Sequence, residues 1–517
     1  MLINYMINIY DPCIDKYKES SINAIKEGWI SNHGKFVELA NNKLKEVTKS
    51  NYSILMANGT CATHCLFLAL KFKYPNINKI YVPNNCYIAA WNSLLMVYSI
   101  EEIEVMKMNI HTWNVNVDEE YINTLDKNTA VLIVHNLGNI VNVPRLKRIR
   151  PDLIFVEDNC EGMLGKYEDT FSGMSESSLC SSCSFYGNKI ITTGEGGAFF
   201  TQDEEVCNYI KSVYSQGMSD TRYLHNIHAY NYRMTNIEAG FLYDQLNDIE
   251  NILENKYKIF QNYDHLFKDL VKLGKIDLIK HEENTIYSPW IYALRIVDNT
   301  KTIEETCVFF KNNNIDIRPF FYPINAHEHL KMVENNDETS HILNKEIIMI
   351  PSSPNITYEQ QKQVVDVIYK FIFFIKQIEI FEMNEINKNE IYVDFLCKIN
   401  NDNFRYFNNR SINCLNNHII TLVLYDIINN KHIGYIHIDY EEKYWLGIYI
   451  DNKYQQQKLG SLLLNYTLNH SKIIGVDKIN LTVYVDNHTA INLYKKNNFK
   501  IIKTLENHHE MEQLPRV

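Results

Sequence analysis

Up to about residue 250, short strand-like apolar runs alternate with stretches of helical spacing. That alternation restricts the amino-terminal part of the chain to an α/β fold with a mixed, mainly parallel sheet between helices. One such run, Ile54-Leu55-Met56, leads through Ala57-Asn58-Gly59-Thr60 into Cys61 to Leu70, whose apolar residues recur at helical spacing. A helix entered in this way offers an anion its unpaired NH groups and the positive end of its dipole. Gly59 permits the tight turn, Thr60 supplies a hydroxyl as N-cap, and with Cys61 these residues are expected to hold a phosphate.

Two further runs bring chemistry to the same sheet. Ile154-Phe155-Val156-Glu157-Asp158 reads as a buried strand ending in a carboxylate, the position from which an open α/β sheet serves a ligand. Ser184 to Gly197 places Lys189 after a strand-like segment and before the glycine-rich turn Thr193-Gly194-Glu195-Gly196-Gly197. A lysine amine there can form a Schiff base with the aldehyde of pyridoxal phosphate, and a carboxylate such as Asp158 can pair with the cofactor's protonated pyridine nitrogen.

With Gly28-Trp29-Ile30-Ser31, Val134-His135-Asn136-Leu137-Gly138 and Tyr230-Asn231-Tyr232-Arg233-Met234-Thr235-Asn236 in the same order, residues 10–375 resemble the DegT-type nucleotide-sugar aminotransferases, pyridoxal phosphate enzymes of fold type I. The resemblance implies that Lys189 is the Schiff-base lysine and proton shuttle, that Asp158 pairs the pyridine nitrogen, and that Ser184 and Thr60 bind the phosphate. It gives Tyr87 the stacking position on the cofactor ring, the alternative being an ordinary core tyrosine. Glu161 stands where many relatives carry glutamine, near the cofactor's 3-hydroxyl, so it must share a proton or stay partly protonated. Lys189 itself argues against the dehydratase branch, in which histidine replaces the lysine. Asn231 and Arg233 are implied to reach the cofactor phosphate of a neighbouring subunit, which makes the expected active unit a homodimer. His225 is a candidate contact to the sugar or its diphosphate, or else a polar loop histidine; Arg318, in the segment Asp316 to Pro323 leading toward the substrate cleft, is a second candidate.

A polar stretch from Met383 to Glu390 follows an amphipathic helical pattern over 359–377 and marks a boundary. The expected division is a large domain over 1–250, a smaller α/β domain over 251–377 with a strand at Trp290 to Ile296, and a third domain over 378–517. In the third, Tyr444 to Ile450 reads as a strand leading through a loop into an apolar helix after Leu459, a second anion-facing helix start. Leu481 to Val485 alternates as another strand, followed by Asp486 to Phe499. Residues 378–512 look like the GNAT acyltransferase family, with a twisted mixed sheet. The resemblance implies a coenzyme A loop from Gln455 to Gly460, with Ser461 just after it, and Lys458 stands where the first of two glycines is expected. A lysine there adds charge toward phosphate but needs a permissive backbone angle. Asn487 matches the contact to the pantetheine arm, and Tyr494 the tyrosine that protonates the departing thiolate, against the alternative of a half-buried helix aromatic. The base for the amine is open among Asp439, Glu441 and Glu442, read as residues of a turn, and Glu442 is also a candidate substrate contact. Phe404 to Arg410 and His418 resemble the branch that acetylates 4-amino sugars on nucleotides.

Net charge excludes one class of partner: at −11, the chain lacks the basic face a nucleic acid needs. Eleven cysteines, odd in number and irregularly spaced, suggest a reducing cytosol, and the lone pair Cys180 and Cys183 reads as packed thiols rather than a zinc site, so no metal is expected. Met1 to Pro12 lack the pattern of a secretion signal and no run reaches the length of a membrane span, so a soluble cytoplasmic protein is expected. The expected activity is bifunctional: glutamate aminates carbon 4 of a nucleotide-linked 4-keto-6-deoxy hexose, UDP-linked first and GDP-linked next, and acetyl coenzyme A acetylates the new amine. The alternatives are a dTDP sugar, an acetyltransferase domain acting on another amine, and a non-catalytic sugar-nucleotide sensor.

Overall fold

A computed structural model describes residues 6–11, 13–221, 223–384, 386–399, 412–473, 475–476 and 478–514. The chain forms two compact units, one of residues 1–265 with 276–361, the other of 266–275 with 362–517.

In the first unit the strands β1 (Tyr52–Met56), β2 (Ile80–Pro83), β3 (Ile103–Met106), β4 (Ala130–Val134) and β5 (Ile154–Asp158) precede two two-residue strands, β6 (Lys166–Tyr167) and β7 (Thr170–Phe171), and then β8 (Ser178–Ser184) and β9 (Gly197–Thr201). The main sheet runs β1-β9-β8-β5-β4-β2-β3. Pairings from β3 through β2, β4 and β5 to β8 are parallel, while β9 pairs antiparallel with β8 and β1. This is the mixed, mainly parallel sheet that the alternating pattern implies. Its central strands are buried on both sides: all five residues of β4 and of β9 are buried, as expected when helices cover both faces. A four-stranded antiparallel sheet orders β10 (Ile276–Asp277), β12 (Tyr292–Ile296), β14 (Ile347–Ile350) and β13 (Arg318–Pro319), and β11 (Thr285–Ile286) joins β6 and β7. Cys180 and Cys183 lie three apart on β8 and fall into different core clusters, so as packed thiols they do not converge on one ion. No disulfide forms among the described residues.

The second unit has one seven-stranded sheet, ordered β15 (Ile378–Glu382), β16 (His418–Asp426), β17 (Lys431–Glu441), β18 (Lys443–Ile450), β19 (Ile479–Tyr484), β21 (His508–Gln513) and β20 (Phe499–Thr504). Among the described residues only β18 and β19 of this sheet pair in parallel, and they do so at two positions, Tyr444 with Ile479 and Trp445 with Asn480. Beyond these the strands separate. Their separation opens a cavity of about 1200 Å³ bordered by Gly447, Thr482 and Tyr494. No helix among the described residues is long and apolar enough to cross a membrane.

Candidate active sites

In the first unit the expected residues gather at the carboxyl ends of the parallel strands. Asp158 closes β5 beside Ser182, and Ser184 closes the adjacent β8. Gly59 begins the helix Gly59–Lys73 directly against Ser184: a Cβ on Gly59 would stand 2.8 Å from the Ser184 Cβ and 2.9 Å from its Oγ. Only glycine lets the helix start approach the serine this closely. The first-turn NH groups of Gly59 and Thr60 have no acceptor within the helix, so an exposed anion acceptor fits there.

The N-cap of this helix is Asn58, not Thr60. Asn58 is extended (φ −165°), and its side chain accepts the Cys61 NH at 2.9 Å, which removes the Cys61 amide from the anion site. An Asx side chain one residue before the helix reaches the third amide, whereas Thr60 already lies inside the first turn. Asn58→Ala is expected to cost about 1 kcal/mol of stability, seen as a lower midpoint in urea at unchanged slope.

Glu161 is buried, and its Oε2 accepts the Leu137 NH at 2.8 Å. Burial pushes its carboxyl up to about 7, opposed by the nearby Lys189 and the Leu137 NH. The raised value has a consequence for stability without ligand: the group favours the folded state below about pH 4.5, and that contribution is lost as pH rises through about 7. Glu161→Gln is therefore expected to raise the melting temperature of the ligand-free protein at pH 8, by up to roughly 3 kcal/mol of stability, and to change it little at pH 5. Thermal unfolding at the two pH values checks this.

The Lys189 ammonium lies 3.9 Å from the centre of the Trp290 ring, a cation–π contact. The Trp290 indole NH donates to Asn188 O at 2.8 Å, and the Trp290 carbonyl accepts the buried Lys256 ammonium at 2.9 Å. Lys256 also donates to Ser352 O, and its burial lowers it to about 7. The sequence marked Trp290 only as a strand residue and did not mark Lys256 at all.

Tyr87 is 61% exposed and makes a T-shaped contact with Phe321, so it is not a core tyrosine. Asn231 accepts from Arg233 at 2.8 Å, on the segment whose Tyr232 carbonyl takes the Ala57 NH beside the helix start. His225 is exposed on the hairpin between Ser215 and Asn231, its Nδ1 within 2.7 Å of Gln216 O. Arg318 is exposed and paired with Asp316. A surface depression near Ile154, Ser178 and Lys147 lies at the opposite strand ends and holds none of these residues.

In the second unit Gln455, Lys458, Gly460, Ser461, Asn487 and Tyr494 all border the cavity between β18 and β19. Gln455 is occupied locally, donating to Ile450 O and Asn452 Oδ1, and Asn487 caps the helix His488–Lys496 by accepting the Ala490 NH. Lys458 adopts φ 62°, the permissive angle its place in the loop requires. Tyr494 is buried, and burial pushes its hydroxyl well above the usual tyrosine range.

One expectation changes here. Asp439 is not a turn residue: β17 continues to Glu441, and Asp439 is buried opposite Trp445, while Glu441 and Glu442 are exposed at the hairpin tip, with Glu442 at φ 61°. On the same sheet face His437 lies opposite Gly447, where an added Cβ would meet its Cε1 at 2.2 Å. The His418 and His437 rings stack 4.3 Å apart at 7°. His418, His437 and Asp439 bring potential ligand atoms within 4.8 Å of one another. The imidazole lone pairs nevertheless lie in near-parallel planes and do not converge on one ion in this arrangement. Phe404 to Arg410 lie outside the described residues.

Residues 12–369 match the DegT/DnrJ/EryC1/StrS aminotransferase family, and residues 388–499 the acetyltransferase (GNAT) family. The chain is 28% identical over 389 residues to GDP-perosamine synthase of Vibrio cholerae, covering 71% of this chain and 99% of that protein. Among solved structures, Escherichia coli GDP-4-keto-6-deoxy-D-mannose-3-dehydratase with bound hydrated PLP aligns with a TM-score of 0.62 at 20% identity, over 71% of this chain and all of that one. Helicobacter pylori PseC, an aminotransferase of pseudoaminic acid biosynthesis, aligns at 0.63 and 19%, over 70% and 98%. These alignments fix the fold of the first unit.

Proposed function

Because this chain belongs to the DegT/DnrJ/EryC1/StrS aminotransferase family and carries a GNAT acetyltransferase domain after it, we propose that it makes an N-acetylated 4-amino sugar on a nucleotide in two steps. An amino group passes from glutamate to carbon 4 of a nucleotide-linked 4-keto-6-deoxy hexose, and acetyl coenzyme A then acetylates it. One observation supports the pairing of steps: a single chain carries the aminotransferase family match over 12–369 and the acetyltransferase family match over 388–499. Relatives named GDP-perosamine synthase, such as that of Vibrio cholerae, favour a GDP sugar over the UDP sugar that the sequence suggested first.

Pyridoxal phosphate fits the residues present, and when bound it supplies an electron sink and a carrier for the amino group. Asp158 would hold its ring nitrogen, and the Gly59 and Thr60 amides with the Ser184 hydroxyl its phosphate. Tyr87 would cover the ring face, Glu161 would sit by the 3-hydroxyl, and Asn231 and Arg233 would reach across a homodimer to the phosphate. Lys189 Nζ carries a proton from the α-carbon of the donor and, in the second half of the cycle, delivers one to carbon 4 of the sugar. Trp290 offers that ammonium a resting position when it is not engaged.

In the second step the amine nitrogen bonds to the thioester carbonyl carbon, the C–S bond breaks, and Tyr494 Oη protonates the leaving thiolate. Asp439 leads the three carboxylates as acceptor of the amine's proton, because it shares a sheet face with Gly447 at the cavity, whereas Glu441 and Glu442 stand at the exposed tip.

The test is mass spectrometry of GDP-, UDP- and dTDP-linked 4-keto-6-deoxy sugars incubated with the protein, pyridoxal phosphate and glutamate, then with acetyl coenzyme A. Conversion to an amine, followed by an acetyl gain only after the second addition, is the expected result. No amine from any of the three would overturn the first step, and an amine never acetylated would overturn the second.

A further inference from the structure

The acetyl-donor cavity of the second unit has a cationic rim that extends beyond the loop Gln455 to Gly460. Lys458 in that loop and Lys496 at the end of the helix His488–Lys496 border the cavity, and so does Lys272, which lies some two hundred residues earlier in the chain. The side chains interlock through backbone carbonyls. Lys458 donates to Leu273 O at 3.2 Å, Lys272 to Lys496 O at 3.5 Å, and Lys376 to Gln457 O at 3.5 Å. Lys275 and Lys458 both stand close enough to Lys376 to lower its proton affinity further, beyond the larger effect of burial.

Three ammonium groups, those of Lys272, Lys458 and Lys496, thus border one cavity of a chain whose net charge is −11, and Lys376 reaches the same loop at Gln457 O. Among the described residues Asp269 is the one carboxylate bordering this cavity, and none of Lys272, Lys376, Lys458 and Lys496 forms an ion pair. Uncompensated like charges repel, so such a cluster is held at a cost unless a polyanion completes it. Lys458 adds a second cost: a non-glycine residue at φ 62° is disfavoured by roughly 1 kcal/mol. The charge it brings is what a glycine there would lack. Coenzyme A carries the matching anion, a pyrophosphate and a 3′-phosphate, at the end of the molecule away from its thiol.

We propose that Lys272 and Lys376, from segments before the acetyltransferase sequence, join Lys458 and Lys496 to bind the phosphates of acetyl coenzyme A. The proposal rests on the acetyl-transfer reading above and adds to it. Side-chain ammonium groups take over part of the phosphate binding that a two-glycine loop performs with backbone amides. Acetyl-donor affinity then depends on residues 272–376, which explains physically why the acetyltransferase sequence tolerates an imperfect loop.

The test uses the full chain with Lys272→Glu, Lys376→Glu and the corresponding Gln variants, and titrates coenzyme A, 3′-dephospho-coenzyme A, and GDP and UDP calorimetrically at two salt concentrations. Each Glu variant is expected to weaken coenzyme A about tenfold and each Gln variant about threefold, with wild-type affinity falling as salt rises. Aminotransfer by the same proteins is expected to be unchanged, which shows that they are folded. A smaller effect on the dephospho form assigns the rim to the 3′-phosphate, and an equal effect assigns it to the pyrophosphate; both support the proposal. Wild type that binds coenzyme A, with variants binding equally tightly, overturns the rim alone. So do variants weakened only for GDP or UDP. If a Glu variant loses aminotransfer as well, the Gln variants and the wild-type salt dependence decide, and a flat salt dependence overturns the proposal. Wild type that binds no coenzyme A overturns the acetyl-transfer reading itself.

Discussion

Lys189→Ala is expected to lower glutamate-dependent amination of the 4-keto sugar nucleotide by at least about 10³-fold, while acetylation of a supplied 4-amino sugar nucleotide by the same protein continues. The site geometry explains why no neighbour substitutes. Asp158 and Glu161 are both buried, with Asp158 Oδ1 held by the Cys160 NH and Glu161 by the Leu137 NH. The one buried lysine among the described residues, Lys256, is fixed by the carbonyls of Trp290 and Ser352. Arginine at position 189 keeps charge and the stack on Trp290, but it stays protonated and cannot accept a proton, so Lys189→Arg is expected to be as inactive as Lys189→Ala. Product mass with each half-substrate measures this, and either variant retaining more than about a tenth of wild-type amination removes Lys189 from the proton path.

The parts of the site that were legible in the sequence are those where a local pattern and a chemical group coincide. A buried strand ending in Asp158, a lysine before a glycine-rich turn, and a strand that turns at Gly59 into an apolar helix can each be read within some fifteen residues. Their spatial union follows from the parallel order of β4, β5 and β8, which brings those strand ends to one edge. Errors arose where the ladder register, rather than residue type, decides the outcome. Asn58 and Thr60 are both good caps, and only the backbone that carries Asn58 past Gly197 selects the first. Asp-Tyr-Glu-Glu reads as a turn by composition, yet the pairing of Asp439 with Trp445 extends the strand by three residues and buries the aspartate. The contact of Trp290 with Lys189, the ring of His437 lying over Gly447, and the approach of Lys272 to Lys496 join residues far apart in sequence, and no local window contains them.

Tyr494→Phe is expected to lower kcat for acetyl transfer by about 10²-fold with little change in the KM for acetyl coenzyme A. The substitution keeps the ring, its tilted contact with Phe499 at 5.8 Å and the burial of the helix His488–Lys496, so the fold and the cavity persist. What it removes is the one proton that the ring offers to the departing sulfur. Burial holds the Tyr494 hydroxyl protonated well above the usual tyrosine value, which suits it to donate and prevents it from acting as the base at neutral pH. The same burial fixes the sign of the pH dependence. A phenol of ordinary acidity would lose its proton near pH 10 and impose an alkaline decline, whereas wild-type acetyl transfer is expected to show no decline from this group up to that pH. Steady-state rates of wild type and Tyr494→Phe from pH 7 to 10, with aminotransfer as the internal reference, test both statements. Activity of the variant within about threefold of wild type would mean that the thiolate leaves without the tyrosine's proton, and an alkaline limb present in wild type and absent in the variant would mean that the buried phenol ionises after all.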